Sequence, residues 1–138
     1  MTAATQTLSL RTPSLLRKVL WLDALSSAGV AVLLLLTASP LASPLGLDVA
    51  LLRGVGLSFL PFAAFVAWTV SRDRIPRVAA AWVVALNALW VIGCLVVLFL
   101  GWLQPTTLGT VFIVAQALFV GLMAEFEFIG LKREGRAG

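Results

Sequence analysis

Three of the six acidic residues in this chain, Asp23, Glu125 and Glu127, lie inside long apolar runs, as do the amides Asn87 and Gln116. A carboxyl group in such surroundings by default marks a proton- or cation-handling site. Asp23 and Glu127 together would also supply a general acid and a general base. Catalysis needs more than that pair. The chain has no His and one Cys, Cys94. A Ser-His or Cys-His nucleophile, a His-ligated haem and a zinc site of His and Cys are thereby excluded. One cysteine cannot close a disulfide within the chain. We therefore assign no catalytic, cofactor-binding or metal-ligating residue, and expect a protein that is not an enzyme.

Each polar residue also has a plainer reading. Asp23 lies about 10–15 Å from one end of its run at 1.5 Å per helical residue. It could pair with Arg17, Lys18 or Arg77, or with backbone groups. Glu125 and Glu127 are two residues apart and point about 200° apart on a helix, so only one can face inward. Asn87 and Gln116 read most simply as interhelical glue, worth around 0.6–2 kcal/mol each. Pro61, in Leu60-Pro61-Phe62, removes a backbone hydrogen bond and marks a hinge or a static bend. Asp48 and Arg53 form a far-side rim, as a headgroup anchor or an anion site.

The elements that must position these residues are apolar throughout. The chain is 61% hydrophobic and 12% charged, about half the charge of an average soluble domain. Four runs, at about 14–38, 51–71, 78–100 and 108–131, each have roughly the 20 residues needed to cross a bilayer. Thr12 and Pro13 read as the N-cap and first residue of the first helix. Pro40, Pro44 and Gly46 read as an exit loop. A cleaved leader is the rival for the first run. The run is long for one, and Pro40 follows the best cleavage position, Thr37-Ala38-Ser39, so a retained span is expected.

Charge fixes the expected direction. Arg11, Arg17 and Lys18 precede or open the first span. Arg72, Arg74 and Arg77 join the second to the third, and Lys132, Arg133 and Arg136 follow the fourth. Only Arg53 lies on the opposite side. Cytoplasmic segments carry the basic excess, so both termini are expected in the cytoplasm. Residues 1–12 would be a cytoplasmic arm, 13–131 the four-span domain and 132–138 a cytoplasmic tail. Trp21, Trp68, Trp82 and Trp102 fit interfacial belts, whereas Trp90 falls near mid-span and is expected to pack.

Small and polar residues define the expected inner faces: Asp23, Ser27, Val30 and Thr37; Arg53, Gly56, Leu60, Ala63 and Ala67; Ala80, Asn87, Cys94 and Gly101; and Gly109, Gln116, Val120, Met123 and Glu127. Such stripes permit close helix approach. A shift of 64 residues lays Leu22-Asp23-Ala24-Leu25 on Leu86-Asn87-Ala88-Leu89, Gly29 on Gly93 and Leu36 on Leu100. With one residue of adjustment Leu45-Gly46 falls on Leu108-Gly109. This reads as a duplicated helical hairpin, a parallel repeat about an axis along the membrane normal.

The segments Leu51-Leu52-Arg53-Gly54-Val55-Gly56, Leu60-Pro61-Phe62-Ala63-Ala64, Leu86-Asn87-Ala88-Leu89-Trp90, Gly101-Trp102-Leu103-Gln104-Pro105-Thr106 and Gln116-Ala117 together resemble a group of small four-helix bacterial inner-membrane proteins without assigned function. The resemblance covers most of the chain and implies the fold and the location. It carries no catalytic residue. The mid-span Glu of small multidrug exporters and the Arg/Asn/Glu pattern of membrane glutathione-pathway enzymes are missing.

The expected fold is all-α, a four-helix transmembrane bundle of two hairpins. The expected role is a structural or accessory subunit of a membrane assembly. The alternative is a small oligomeric transporter or channel using Asp23, Asn87, Gln116, Glu125 and Glu127. The expected partners are the lipid bilayer and other membrane subunits or further copies of the chain, with no nucleic acid and no cofactor.

Overall fold

A computed structural model describes residues 14–137. They form four helices: α1 (Leu15–Leu45), α2 (Val49–Ser71), α3 (Arg77–Phe99) and α4 (Thr107–Ala137). All four are long and apolar enough to cross a membrane. The shortest have 23 residues, or about 35 Å at 1.5 Å per residue, against a hydrocarbon core of about 30 Å. The exterior is apolar along every helix, with exposed Leu25, Leu36, Leu57, Leu89, Phe99, Leu118 and Phe128 among many others. Such an exterior suits lipid and not water.

α1 packs along α2, α3 along α4, and α1 against α4. α2 and α3 touch least, and α1 and α3 face each other diagonally without close backbone approach. Two close crossings fix this arrangement. A Cβ on Gly56 would sit 3.1 Å from the Ala31 carbonyl oxygen, so α2 lies directly on α1. A Cβ on Gly130 would sit 2.9 Å from Leu16 backbone atoms, which brings α4 equally close to α1. The main apolar core gathers Leu16, Leu20, Ala24, Val66, Val70, Ile75, Ala80 and Val83 at the end carrying the charged loop.

The element ends differ from the sequence expectation in three places. Ser14 is the N-cap of α1, its hydroxyl accepting from the Arg17 amide at 3.2 Å. Thr12 and Pro13 lie outside the described residues. Next, α1 runs through Pro40 and Pro44 to Leu45 instead of ending near residue 38. Its only non-helical backbone is Thr37, with φ −118° and ψ 15°. The helix restarts there, so Pro40 falls in a first turn, where its missing N–H has no partner to lose. Lastly, α4 continues to Ala137, so residues 132–137 extend the helix and do not form a separate tail.

The kink at Thr37 falls 64 residues before Gly101, which lies just past the end of α3. Gly101 has φ +72°. The Trp102 amide closes that end on the Val97 carbonyl at 3.1 Å. Gly46, with φ +66°, closes α1 the same way nine residues beyond its kink, through Leu47 N–H to the Ala42 carbonyl at 3.0 Å. Both glycines adopt the left-handed conformation that this closure requires.

Candidate functional site

Four of the five buried polar residues, Asp23, Ser27, Asn87 and Glu127, form one cluster at the charged-loop end of the bundle; the fifth, Thr69, bonds back to the Phe65 carbonyl of its own helix. Asp23 on α1, Asn87 on α3 and Glu127 on α4 are 2%, 3% and 0% exposed. Asn87 Nδ2 donates to Asp23 Oδ2 at 2.8 Å and to Glu127 Oε2 at 3.1 Å. One amide nitrogen carries two hydrogens, so it can serve both acceptors at once. The Ser27 hydroxyl, one turn along α1 from Asp23, donates to Asp23 Oδ1 at 3.3 Å. Glu127 Oε1 is buried with no hydrogen-bond partner.

The helices dictate this meeting. Asp23 and Asn87 are 64 residues apart, the shift that aligns the first and third spans in sequence, and they meet where α1 and α3 are otherwise apart. Glu127 enters from the side because Gly130, less than a turn along α4, seats that helix on Leu16 of α1.

The nearest cations do not balance the cluster. Among the described residues no Lys or Arg nitrogen lies within 4.0 Å of a carboxylate oxygen. Arg17 donates to the carbonyls of Val70, Arg72 and Asp73, the last two at 2.9 and 3.0 Å. It thereby caps the carbonyl end of α2, where the helix dipole favours a cation. Arg77 donates to the Leu131 carbonyl at 3.3 Å and lies over Gly135. The pairing of Asp23 with Arg17, Lys18 or Arg77 considered from sequence is thus replaced by Asn87 and Ser27.

The other candidate residues lie elsewhere. Glu125 is exposed on the outer face of α4, beside a shallow apolar hollow between α3 and α4. Gln116 is about 16 Å along α4 from Glu127. It accepts from Trp90 Nε1 at 2.9 Å and donates to Cys94 Sγ at 3.2 Å and to the Ile113 carbonyl at 3.0 Å. Trp90 also meets Phe59 of α2 edge-on, with ring centroids 5.0 Å apart. Pro61 is exposed, and α2 runs past it as one helix. Asp48 and Arg53 are both exposed, and no bond joins them among the described residues.

The inner face of α2 is also rotated from the expected stripe. Leu52, Gly56, Ala63, Val66, Thr69 and Val70 are buried, while Arg53 and Leu60 are exposed. α2 is apolar on all sides, so no polar face reveals its phase. Gly101 likewise lies in a turn and not on an inner stripe.

Thr106 is the residue that the sequence reading missed. Its hydroxyl accepts from the Gly109 amide at 3.1 Å and donates to the Pro44 carbonyl at 2.6 Å. Its own N–H reaches the Leu45 carbonyl at 3.1 Å. One residue thus caps the start of α4 and satisfies the end of α1. Gly46 and Gly109 make this fit possible: a Cβ on Gly46 would be 2.7 Å from Thr106 N, and one on Gly109 would overlap the Leu45 carbonyl oxygen. The signal was Pro105-Thr106 ahead of an apolar run, an ordinary N-cap pattern.

Chemically, the cluster offers oxygen acceptors and one amide. Among the described residues no group of three or more His, Cys, Asp or Glu side chains could hold a metal ion. Comparison with protein-family models, with characterised proteins and with solved structures finds no match to this chain.

Proposed function

We propose that this is a multi-pass protein of the bacterial inner membrane, with both termini cytoplasmic, acting as a structural or accessory subunit of a membrane assembly. The observation that carries this reading is the unequal packing of two seams that the repeat would make equivalent. α1 and α4 are seated closely at Gly130 and Leu16, whereas α2 and α3 touch least of all neighbouring helices. The outer faces of α2 and α3 present Leu57, Leu60, Trp82, Leu86 and Leu89. A partner that uses these faces is itself a membrane-embedded helix, because only an apolar surface matches them without stranding polar groups. The basic residues at 72–77 and 132–136 support the orientation.

The test is crosslinking in native membranes from single cysteines on these faces, Leu60→Cys and Leu89→Cys, in a Cys94→Ala background. The expected result is a stoichiometric adduct with one other membrane protein, lost when the cysteine is moved to buried Val66. A chain that crosslinks to nothing, and runs alone after mild solubilisation, would sink this reading.

A second reading, a small proton- or cation-coupled transporter, is favoured by the partnerless Glu127 Oε1. Two facts weigh against it. Gln116 and Glu125 stand apart from the cluster, and the surface hollows along α3 and between α3 and α4 touch neither Asp23, Asn87 nor Glu127. Unchanged flux in liposomes after Asp23→Asn would remove it.

A further inference from the structure

We propose that Asp23 and Glu127 form a proton-binding site, in which one exchangeable proton bridges the two carboxyl groups while Asn87 holds both in place. This goes beyond the accessory role and does not depend on it.

The argument begins with charge. Two carboxylates share one amide nitrogen in the interior of an apolar bundle. Such a pair, wholly ionised and without a counter-charge, is too costly to bury. The elements around Glu127 supply no counter-charge. α1 contributes Asp23 and Ser27, and α3 contributes Asn87. α2 has no ionisable side chain between Arg53 at one end and Arg72 at the other. On α4 itself, Glu125 faces outward and Lys132 sits over the Phe128 ring at 5.0 Å. Arg17 and Arg77, toward the rim, are bonded to backbone carbonyls.

The second observation is Glu127 Oε1. It is wholly buried and accepts from no protein donor. Asp23 Oδ2 and Glu127 Oε2 both accept from the Asn87 amide nitrogen, at 2.8 and 3.1 Å, which sets the two carboxyl groups side by side. A proton on either acid turns that close approach into an O–H···O bond and removes one of the two charges. A metal ion would need several oxygens around an open space, and the donor set here is too small for one. Proton release to water leaves two negative carboxylates side by side. Glu127 is less than one turn from Gly130, so their repulsion acts on a closely packed part of the α1–α4 seam.

The experiment is infrared spectroscopy of the full chain in lipid nanodiscs, titrated with base. The expected result at neutral pH is a carbonyl band of a protonated carboxyl group, shifted by deuterium and lost on titration with one proton released per chain. Glu127→Gln should abolish the band. Asp23→Asn should shift it, since the proton loses its carboxylate acceptor. A folded wild-type chain with no such band overturns the proposal. So does a band that neither substitution changes, or one that responds to sodium and not to pH. The wild-type spectrum decides even where a variant fails to fold. A melting temperature that falls with rising pH in the wild type, and is flat in Glu127→Gln, is the second expected result. A wild-type melting temperature independent of pH counts against the proposal.

Discussion

Asn87 joins Asp23 across the bundle at 2.8 Å, linking helices α1 and α3 whose backbones do not otherwise approach. The same nitrogen reaches Glu127 on α4 at 3.1 Å. One side chain therefore ties three of the four helices. Asn87→Ala strands two buried acceptors, and the expected loss is about 3 kcal/mol, the upper end of the cost of orphaning buried polar groups. Reversible unfolding in mixed micelles measures it. Gln116→Ala, which removes a half-buried group with weaker partners, should cost less, about 1 kcal/mol.

Gly130 and Gly93 give opposite predictions for the same substitution. Gly130→Ala puts a methyl group 2.9 Å from the Leu16 backbone, which cannot yield. It should destabilise the bundle by about 1–3 kcal/mol. Gly93 has nothing within 4 Å of its would-be Cβ. Gly93→Ala should be neutral or stabilising by up to about 1 kcal/mol, through helix propensity alone. The pair is compared in the same unfolding assay.

Thr106→Ala removes the α4 cap together with the bond to Pro44. The expected cost is about 1–2 kcal/mol. Thr106→Ser keeps both bonds and should retain most of the stability. Proteolysis at the α3–α4 loop should rise in the alanine variant and not in the serine one.

Orientation is open to a direct test. Single cysteines at Asp73 and Trp102, in a Cys94→Ala background, sit in the two different end regions of the bundle. An impermeant thiol reagent applied to intact spheroplasts should label the Trp102→Cys chain and spare the Asp73→Cys chain. The reverse pattern would invert the orientation.

Much of this arrangement was legible from residue types, and the failures have physical causes. Asp23, Ser27, Asn87 and Glu127 fell on their inner stripes because a polar group in an apolar run has only one stable place, against another polar group. The phase of α2 was not legible. Lipid is as apolar as the core, and the few polar residues of α2 point both outward, as Arg53 and Ser58 do, and inward, as Thr69 does, so they mark no single inner face. The partner of Asp23 was not among Arg17, Lys18 and Arg77, the cations considered for it, and the sequence does not display the carbonyls at the end of α2 that take the Arg17 guanidinium. Pro40 and Pro44 read as helix breakers because the kink at Thr37, which readmits Pro40, leaves no mark on composition.

The joint at Thr106 has a consequence for biogenesis. The carbonyls of Pro44 and Leu45 find their donors in a residue synthesised some sixty positions later. Asp23 waits equally long for Asn87. A first hairpin alone lacks the donors for the Pro44 and Leu45 carbonyls at one end of α1 and for Asp23 Oδ2 toward the other. The second hairpin supplies both, so α1 is completed only when the second hairpin packs on it.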